Sequence, residues 1–327
     1  MLRKIDWESQ IGRRLKLRDL HVFSTVAQRG NMAKAAAELG VSQPTVSEAI
    51  ADLEHAVGVR LLDRSRKGVE LTDYGAALLR RVRAAFDELR QGIREIEFLT
   101  DPAAGELRIG CPESLATALV SPAVQLFIRR YPRVTINIFH LNTPTLDLPQ
   151  LHDRTLDLVI VRSPVAQTDD PTAKDLKMEH LFNDDLVVAA GVKSSWARRR
   201  KIDIADLINE AWILTPPGAA IYNHMMQAFH ARGLPLPAVT VGTQTGALRG
   251  DLLATGRYIA PLPRSIFNMY AKHFPLKILP VDLPIRPWPV ALVTLKNRTT
   301  SAVVARFIEC TRAIAKSLLK DGTRERS

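Results

Sequence analysis

The chain has 327 residues, enough for two or three domains, and 46% of them are hydrophobic, ample for real cores. No apolar run approaches the ~18 residues of a membrane span. The start MLRKIDWESQIGRR has no apolar secretory core, so a soluble cytoplasmic protein is expected. A net charge of +11 suggests a polyanionic partner, yet residues 1–100 hold only 17 Lys+Arg against 14 Asp+Glu. Bulk charge therefore does not locate that partner.

Residues 1–16 are polar and aperiodic and read as a loose extension. From residue 17 an apolar face predicts a helix over 17–29: Leu17, Leu20, Val22, Phe23, Val26 and Ala27. Gly30 ends it, and Asn31 caps the next helix. In AAAELGVSQPTVSEAIADLE, residues 35–54, strong helix formers run from Ala35 to Leu39. Gly40 supplies the stop, Ser42 is an N-cap, and Pro44 in the first turn loses no helical hydrogen bond. Val46, Ile50, Leu53 and Val57 then share one face. Ser42, Gln43, Thr45, Ser47, Glu48 and Ala49 fall at the start and outer side.

This is the helix-turn-helix pattern, whose second helix offers its N-terminal residues to the major groove. Gln43 can bond adenine N6 and N7 together, and the Thr45 methyl suits a thymine methyl. An ordinary helical hairpin would share the pattern. RLLDRSRKGVELTDYG, residues 60–75, decides between them. Two short apolar runs split by SRKG predict a β-hairpin. Its tip is basic: Arg60, Arg64, Arg66 and Lys67 outnumber Asp63 and suit phosphate contacts.

The opening LRDLHVF, the AAAELGVSQPTVS core, the VGVRLLDR segment and the LTDYG start of a long helix, in this order and spacing, resemble the DNA-binding region of LysR-type transcriptional regulators. The resemblance implies a winged helix-turn-helix over 17–71. Its DNA-contacting residues would be Ser42, Gln43, Pro44, Thr45, Ser47, Glu48, Arg64, Arg66 and Lys67. Glu48 departs from the family, many of whose members carry a basic or neutral polar residue there. An acid cannot bind phosphate but can accept from cytosine N4.

No proline interrupts residues 72–100. Leu78, Val82, Phe86, Leu89, Ile93 and Ile96 step by three and four, close to a heptad seam, and predict a linker helix that pairs with a second copy. The resemblance implies the same: a dimer or tetramer on an interrupted palindromic operator. DPAAG, residues 101–105, reads as a hinge.

Beyond it, strand and helix patterns alternate. ELRIGC, a helix over 113–130, VTINIF, a helix near 146–151 and DLVIV suggest a parallel sheet. A second such series follows, closed by PVALVTL and a last amphipathic helix over 300–319. The expected architecture is multidomain α+β: lobe I over 106–162 plus about 270–320, lobe II over 163–269, and a tail over 321–327. This resembles the LysR effector domain, built like a periplasmic solute-binding protein. Ligands in such lobes sit at strand C-termini, which nominates Ser114, Asn142, Thr143, Arg162, Ser163, Pro217, Gly218, Thr243 and Gln244. The resemblance singles out Ser114 and Thr143 as hydroxyls for a carboxylate or similar group. Helix capping would use the same residue types.

No GxSxG, P-loop, GxGxxG, HExxH or CxxC occurs, so no enzyme, metal or cofactor is expected. Asp169–Asp170 and Asp184–Asp185 read as solvated pairs. Cys111 and Cys310 read as packed thiols. The resemblance implies a transcriptional regulator with a small-molecule effector and contact with RNA polymerase. The rival is a constitutive winged-helix protein whose α/β part serves oligomerisation only.

Overall fold

Helix α1 (Leu17–Arg29) ends where Gly30 takes φ 60°, a left-handed conformation that avoids a Cβ clash. Asn31 then caps α2 (Met32–Leu39), its Oδ1 accepting from the Ala33 and Lys34 N–H groups at 2.8 and 3.1 Å. Gly40 turns the chain at φ 65°, and Ser42 caps α3 (Gln43–Val57) by accepting from Thr45 N–H. Strands β1 (Leu62–Ser65) and β2 (Gly68–Leu71) pair antiparallel as the wing. Helix α4 follows (Asp73–Thr100). The computed structural model describes residues 15–65, 68–101, 104–141, 148–162 and 174–324. Two compact units divide the chain, Met1–Ile93 and Arg94–Ser327.

The first unit buries Phe23, Val26, Ala35, Val46, Ile50, Leu53 and Leu61 in one core. Ala49, expected on the outer side of α3, is buried there too, because the inward stripe of a packed helix is wider than one residue per turn.

The second unit holds two five-stranded sheets. Lobe I contains β3 (Ala104–Cys111), β4 (Arg133–His140), β5 (Leu158–Arg162), β6 (Leu176–Asp184) and β12 (Trp288–Leu295), in the order β4-β3-β5-β12-β6. Strand β3 is parallel to β4 and β5, whereas β12 runs antiparallel to β5 and β6. Lobe II contains β7 (Leu186–Gly191), β8 (Trp212–Leu214), β9 (Val239–Gly242), β10 (Ile259–Pro263) and β11 (Leu276–Ile278), in the order β11-β7-β10-β8-β9.

The lobes therefore change over at Asp185 and again before Trp288, not at residues 163 and 270. The expected boundaries fail because β6 and β11 each complete the sheet of the lobe they leave, and strand patterning does not show which sheet a strand joins. Strand β3 already starts at Ala104, inside the expected hinge; Pro102 and Ala103 lie outside the described residues.

The helix expected over 113–130 is divided into α5 (Glu113–Leu115), a π-helical turn (Ala116–Val120) and α6 (Ser121–Ile128). Helix α7 is short (Pro149–His152), and Ile204–Leu207 form a 3₁₀ turn. Lobe II adds α8 (Ala220–Ala231), α9 (Gly246–Ala254) and α10 (Arg264–Tyr270). Helix α11 (Ala302–Arg324) returns to lobe I, where Val303, Val304 and Phe307 join Leu107, Ile109 and Phe127. Among the described residues no helix is long and apolar enough to cross a membrane.

Candidate functional site

Two surfaces carry chemistry. On the first, Ser42, Gln43, Pro44 and Glu48 are exposed at the start of α3, while Thr45 and Ser47 are half-buried. The Thr45 hydroxyl lies 2.8 Å from Ser42 Oγ, so capping already engages it, and its methyl is the part left for a groove. Gln43 has a side chain on the open first turn of α3.

The wing is set by groups the sequence reading missed. Glu54 Oε1 accepts from Leu61 and Leu62 N–H at 2.7 and 3.1 Å, tying α3 to β1. Thr72 Oγ1 donates to Arg60 C=O at 2.8 Å and accepts from Gly75 N–H at 3.0 Å. A Cβ on Gly75 would lie 2.0 Å from Leu61 O, so only glycine lets α4 come this close to the wing. These bonds give the LTDYG run its physical meaning. Arg66 and Lys67, and the side chain of Arg64, lie outside what the structure describes.

The expected pairing seam on α4 divides in two. Leu78, Val82 and Phe86 pack on the core of their own unit. Leu89, Ile93 and Ile96 are 51%, 58% and 65% exposed. All six share one helical face; the globular core covers only its first turns, so half of the seam is spent within the chain and half is free.

The second surface is a cleft between lobes I and II, with about 630 Å³ of empty space, part of it open to solvent. Its floor is a buried network. Arg162, at the end of β5, donates to Asp184 Oδ2 from Nη2 at 2.8 Å and from Nε at 3.3 Å. Ser265, at the start of α10, donates its hydroxyl to the same oxygen at 2.6 Å and its N–H to Asp184 Oδ1 at 3.1 Å. Arg162 Nη1 donates to Ser114 Oγ at 2.6 Å. Asp184 is 3% exposed, so it is no solvated carboxylate; it joins Arg162 of lobe I to Ser265 of lobe II at the crossover.

Arg162 thus lines the cleft already ion-paired with Asp184. Its role is to orient Ser114: a hydroxyl oxygen that accepts from a guanidinium keeps its own proton for another acceptor.

The lobe II wall holds Thr215, Ala219, Ala220, Ile221, Gln244 and Arg249, and the opposite wall Pro112, Glu113, Ser114, His140, Leu141 and Trp288. Thr215 and Arg249 are 7% and 5% exposed, and among the described residues Thr215 Oγ1 and Arg249 Nε have no hydrogen-bond partner. Burial lowers the pKa of Arg249 from its ordinary value, and that of His224, whose ring stacks on Trp288 at 4.7 Å between centroids. Burial also pushes the Cys111 thiol up to about 12, consistent with a packed thiol rather than a reactive one.

Of the nominated effector residues, Ser114, Arg162 and Gln244 line the cleft. Pro217 and Gly218 are exposed in the turn ahead of α8, outside its lining. Thr243 also lies outside: its Oγ1 accepts from Thr245 N–H at 3.0 Å, and its carbonyl accepts from Arg249 Nη2 at 3.1 Å, as loop-closing groups do. Asn142, Thr143 and Ser163 lie outside the described residues. Thr215 directly follows the strand AWIL and was within reach of the strand-end rule; Arg249 sits inside a helix and carries no sequence signal.

A winged helix followed by a two-lobed domain with a polar central cleft defines a DNA-binding protein fitted with a small-molecule receptor. The model of the LysR substrate binding domain matches residues 100–316, and that of the bacterial regulatory helix-turn-helix protein, lysR family, matches residues 17–76. The chain belongs to the LysR family of transcriptional regulators. It is 25% identical over 308 residues to the regulator GbpR of Azospirillum brasilense, covering 94% of this chain and 89% of that protein. It is 26% identical over 295 residues to the dual regulator GltC of Bacillus subtilis, covering 90% and 96%. The fold matches a full-length OxyR variant of Pseudomonas aeruginosa with a TM-score of 0.64 at 21% identity, covering 92% and 95%. CbnR in complex with its target DNA matches with a TM-score of 0.51 at 23% identity, covering 92% and 100%.

Proposed function

We propose that this regulator works as a dimer or dimer of dimers whose paired α3 helices grip an interrupted palindromic operator, and that a small molecule in the interlobe cleft alters that grip. The cleft carries this reading. Thr215 Oγ1 and Arg249 Nε line it without a hydrogen-bond partner among the described residues, and a buried polar group left unpaired costs about 1–3 kcal/mol. An α/β part serving oligomerisation only would have no reason to keep such groups in a cleft, which counts against the constitutive rival.

Gln43 reads a base, Arg64, Arg66 and Lys67 hold phosphates, and Leu89, Ile93 and Ile96 form the seam. Asn142, Thr143 and Ser163 remain candidate effector contacts beside Ser114 and Gln244. The protein is a regulator rather than an enzyme, a reading supported by relatives that are transcriptional regulators. It acts in the cytoplasm, where its DNA is, and contacts RNA polymerase from the bound operator. Effector binding must favour one arrangement of the chain over another, or DNA binding would not respond.

Operator sequences are selected from random duplexes with the full-length protein, and a metabolite library is screened by thermal shift with operator affinity measured in parallel. A half-site repeat of about 10 base pairs centre to centre, or a multiple, is expected. So is at least one compound that moves both melting and operator affinity. Stabilising compounds that never alter operator binding would sink the effector reading.

A further inference from the structure

The lobe II wall of the cleft is built as a seat for an anion. Its centre is the start of α9, where backbone N–H groups lack helical partners and the helix dipole is positive. Arg249, one turn on, is 5% exposed and Thr215 is 7% exposed, and among the described residues Arg249 Nε and the Thr215 hydroxyl are unpaired. Among the described residues Arg249 has no ion-pair partner; Glu113 and Tyr270 act on it only through longer-range charge.

One group does reach this seat, and it comes from the other lobe. Glu113, on the first turn of α5 in lobe I, accepts from Gly246 N–H in lobe II through Oε1 at 3.0 Å. The approach is tight: a Cβ on Gly246 would lie 2.5 Å from Glu113 Oε1 and 2.1 Å from the Tyr270 hydroxyl. Glycine at the first position of α9 is what admits the carboxylate. Pro112 and Glu113 line the same cleft as Thr215 and Arg249, so the bond spans the cavity a ligand would enter.

We propose that Glu113 is a built-in competitor for the effector: the cleft takes a compact organic acid, whose carboxylate displaces that of Glu113 from Gly246 N–H and completes the bonds of Arg249 and Thr215. This rests on the effector reading above and names its ligand class. The charge balance drives the exchange. Glu113 and Arg249 together are neutral, and Arg162 is neutralised by Asp184. Glu113 is itself exposed, so a second carboxylate beside a retained Glu113 would meet like-charge repulsion at a seat whose Arg249 and Thr215 are buried. An acid that expels Glu113 restores neutrality and at the same stroke breaks the interlobe bond, so ligand occupancy and lobe coupling change together. A neutral ligand gains nothing from the exchange.

The test uses the full-length protein with acetate, benzoate, succinate and their matched carboxamides. Titration calorimetry is run on wild type, Glu113→Gln, Thr215→Val and Arg249→Met. Glutamine keeps an oxygen for Gly246 N–H but removes the competing charge, so at least one acid should bind about tenfold tighter while its amide is unchanged. Thr215→Val, nearly the same shape, should bind that acid at least about fivefold more weakly. Arg249→Met should abolish its binding. Hydrogen exchange at Gly246 should be slow in free wild type and fast in Glu113→Ala.

Acid affinity unmoved by Glu113→Gln, tighter binding of amides than of acids, or no acid bound by Glu113→Gln would overturn the proposal. An amide that binds and shifts operator affinity would do so while leaving the effector reading intact. Acid binding that follows these substitutions yet leaves operator affinity unchanged would retain the seat and overturn the effector reading.

Discussion

The winged helix draws its key bonds from neighbours in the chain: Asn31 bonds residues two and three positions on, Ser42 bonds Thr45, and Glu54 reaches seven and eight positions ahead. The cleft draws on distant segments. Arg162 meets Ser114 across 48 positions and Ser265 across 103, and Glu113 meets Gly246 across 133. Closing a long loop costs more conformational entropy than a short one, so the cleft contacts carry a larger closure cost than those of the winged helix. The DNA-reading surface is therefore robust to changes elsewhere in the chain, whereas the cleft depends on the register and crossover of two sheets. A site assembled from two lobes is sensitive to how the lobes lie.

The sharpest way to break the comparison is Asp184→Asn. It leaves Arg162, 4% exposed, as a buried charge without its counter-ion, and should cost about 3–5 kcal/mol in the Arg94–Ser327 unit. Denaturant unfolding followed by tryptophan fluorescence of the Trp7→Phe background reads it, since the other three tryptophans, Trp196, Trp212 and Trp288, lie in that unit. Operator binding by the winged helix should persist well after cleft ligands fail to bind. Simultaneous loss of both at low denaturant would abolish the distinction.

Replacing Leu89 and Ile93 together by Asp should weaken self-association by on the order of a hundredfold, because charge would enter an apolar seam. Both residues are exposed in the single chain, so its own stability should hold. Light scattering and unfolding curves separate the two; unchanged mass would place the interface elsewhere.

Glu54→Ala removes the acceptor for Leu61 and Leu62 N–H and should cost the Met1–Ile93 unit about 1–3 kcal/mol. Proteolysis of the wing should accelerate. Gln43→Ala should cost about 1–3 kcal/mol at one operator position and relax its specificity, while Lys67→Ala should weaken binding on all sequences alike and reduce the salt slope by about one. Uniform loss for Gln43→Ala would remove it from base reading.

The smallest effect is at Cys111, whose thiol burial holds near pKa 12. The thiol stays protonated through neutral pH, so alkylation by iodoacetamide at pH 8 should be negligible until the chain unfolds. Fast labelling of the folded protein would instead show a reactive thiol at Cys111.

Residue order alone set the local features. Gly30, Gly40, Ser42 and Pro44 bound the helices through backbone conformations and caps that depend on a few adjacent residues. The apolar period of α4 and the polar start of α3 were likewise legible, and so was Ser114, because the first turn after a strand is a position chain order defines. Tertiary structure decided which sheet β6 and β11 complete, which half of the α4 seam stays exposed, and that Arg162 pairs with Asp184. It also brought Glu113, Thr215 and Arg249 to one cavity. These depend on segments as far as 133 positions apart, on which sheet a strand joins, or on which surfaces a neighbour covers, and side-chain periodicity holds no record of any of them.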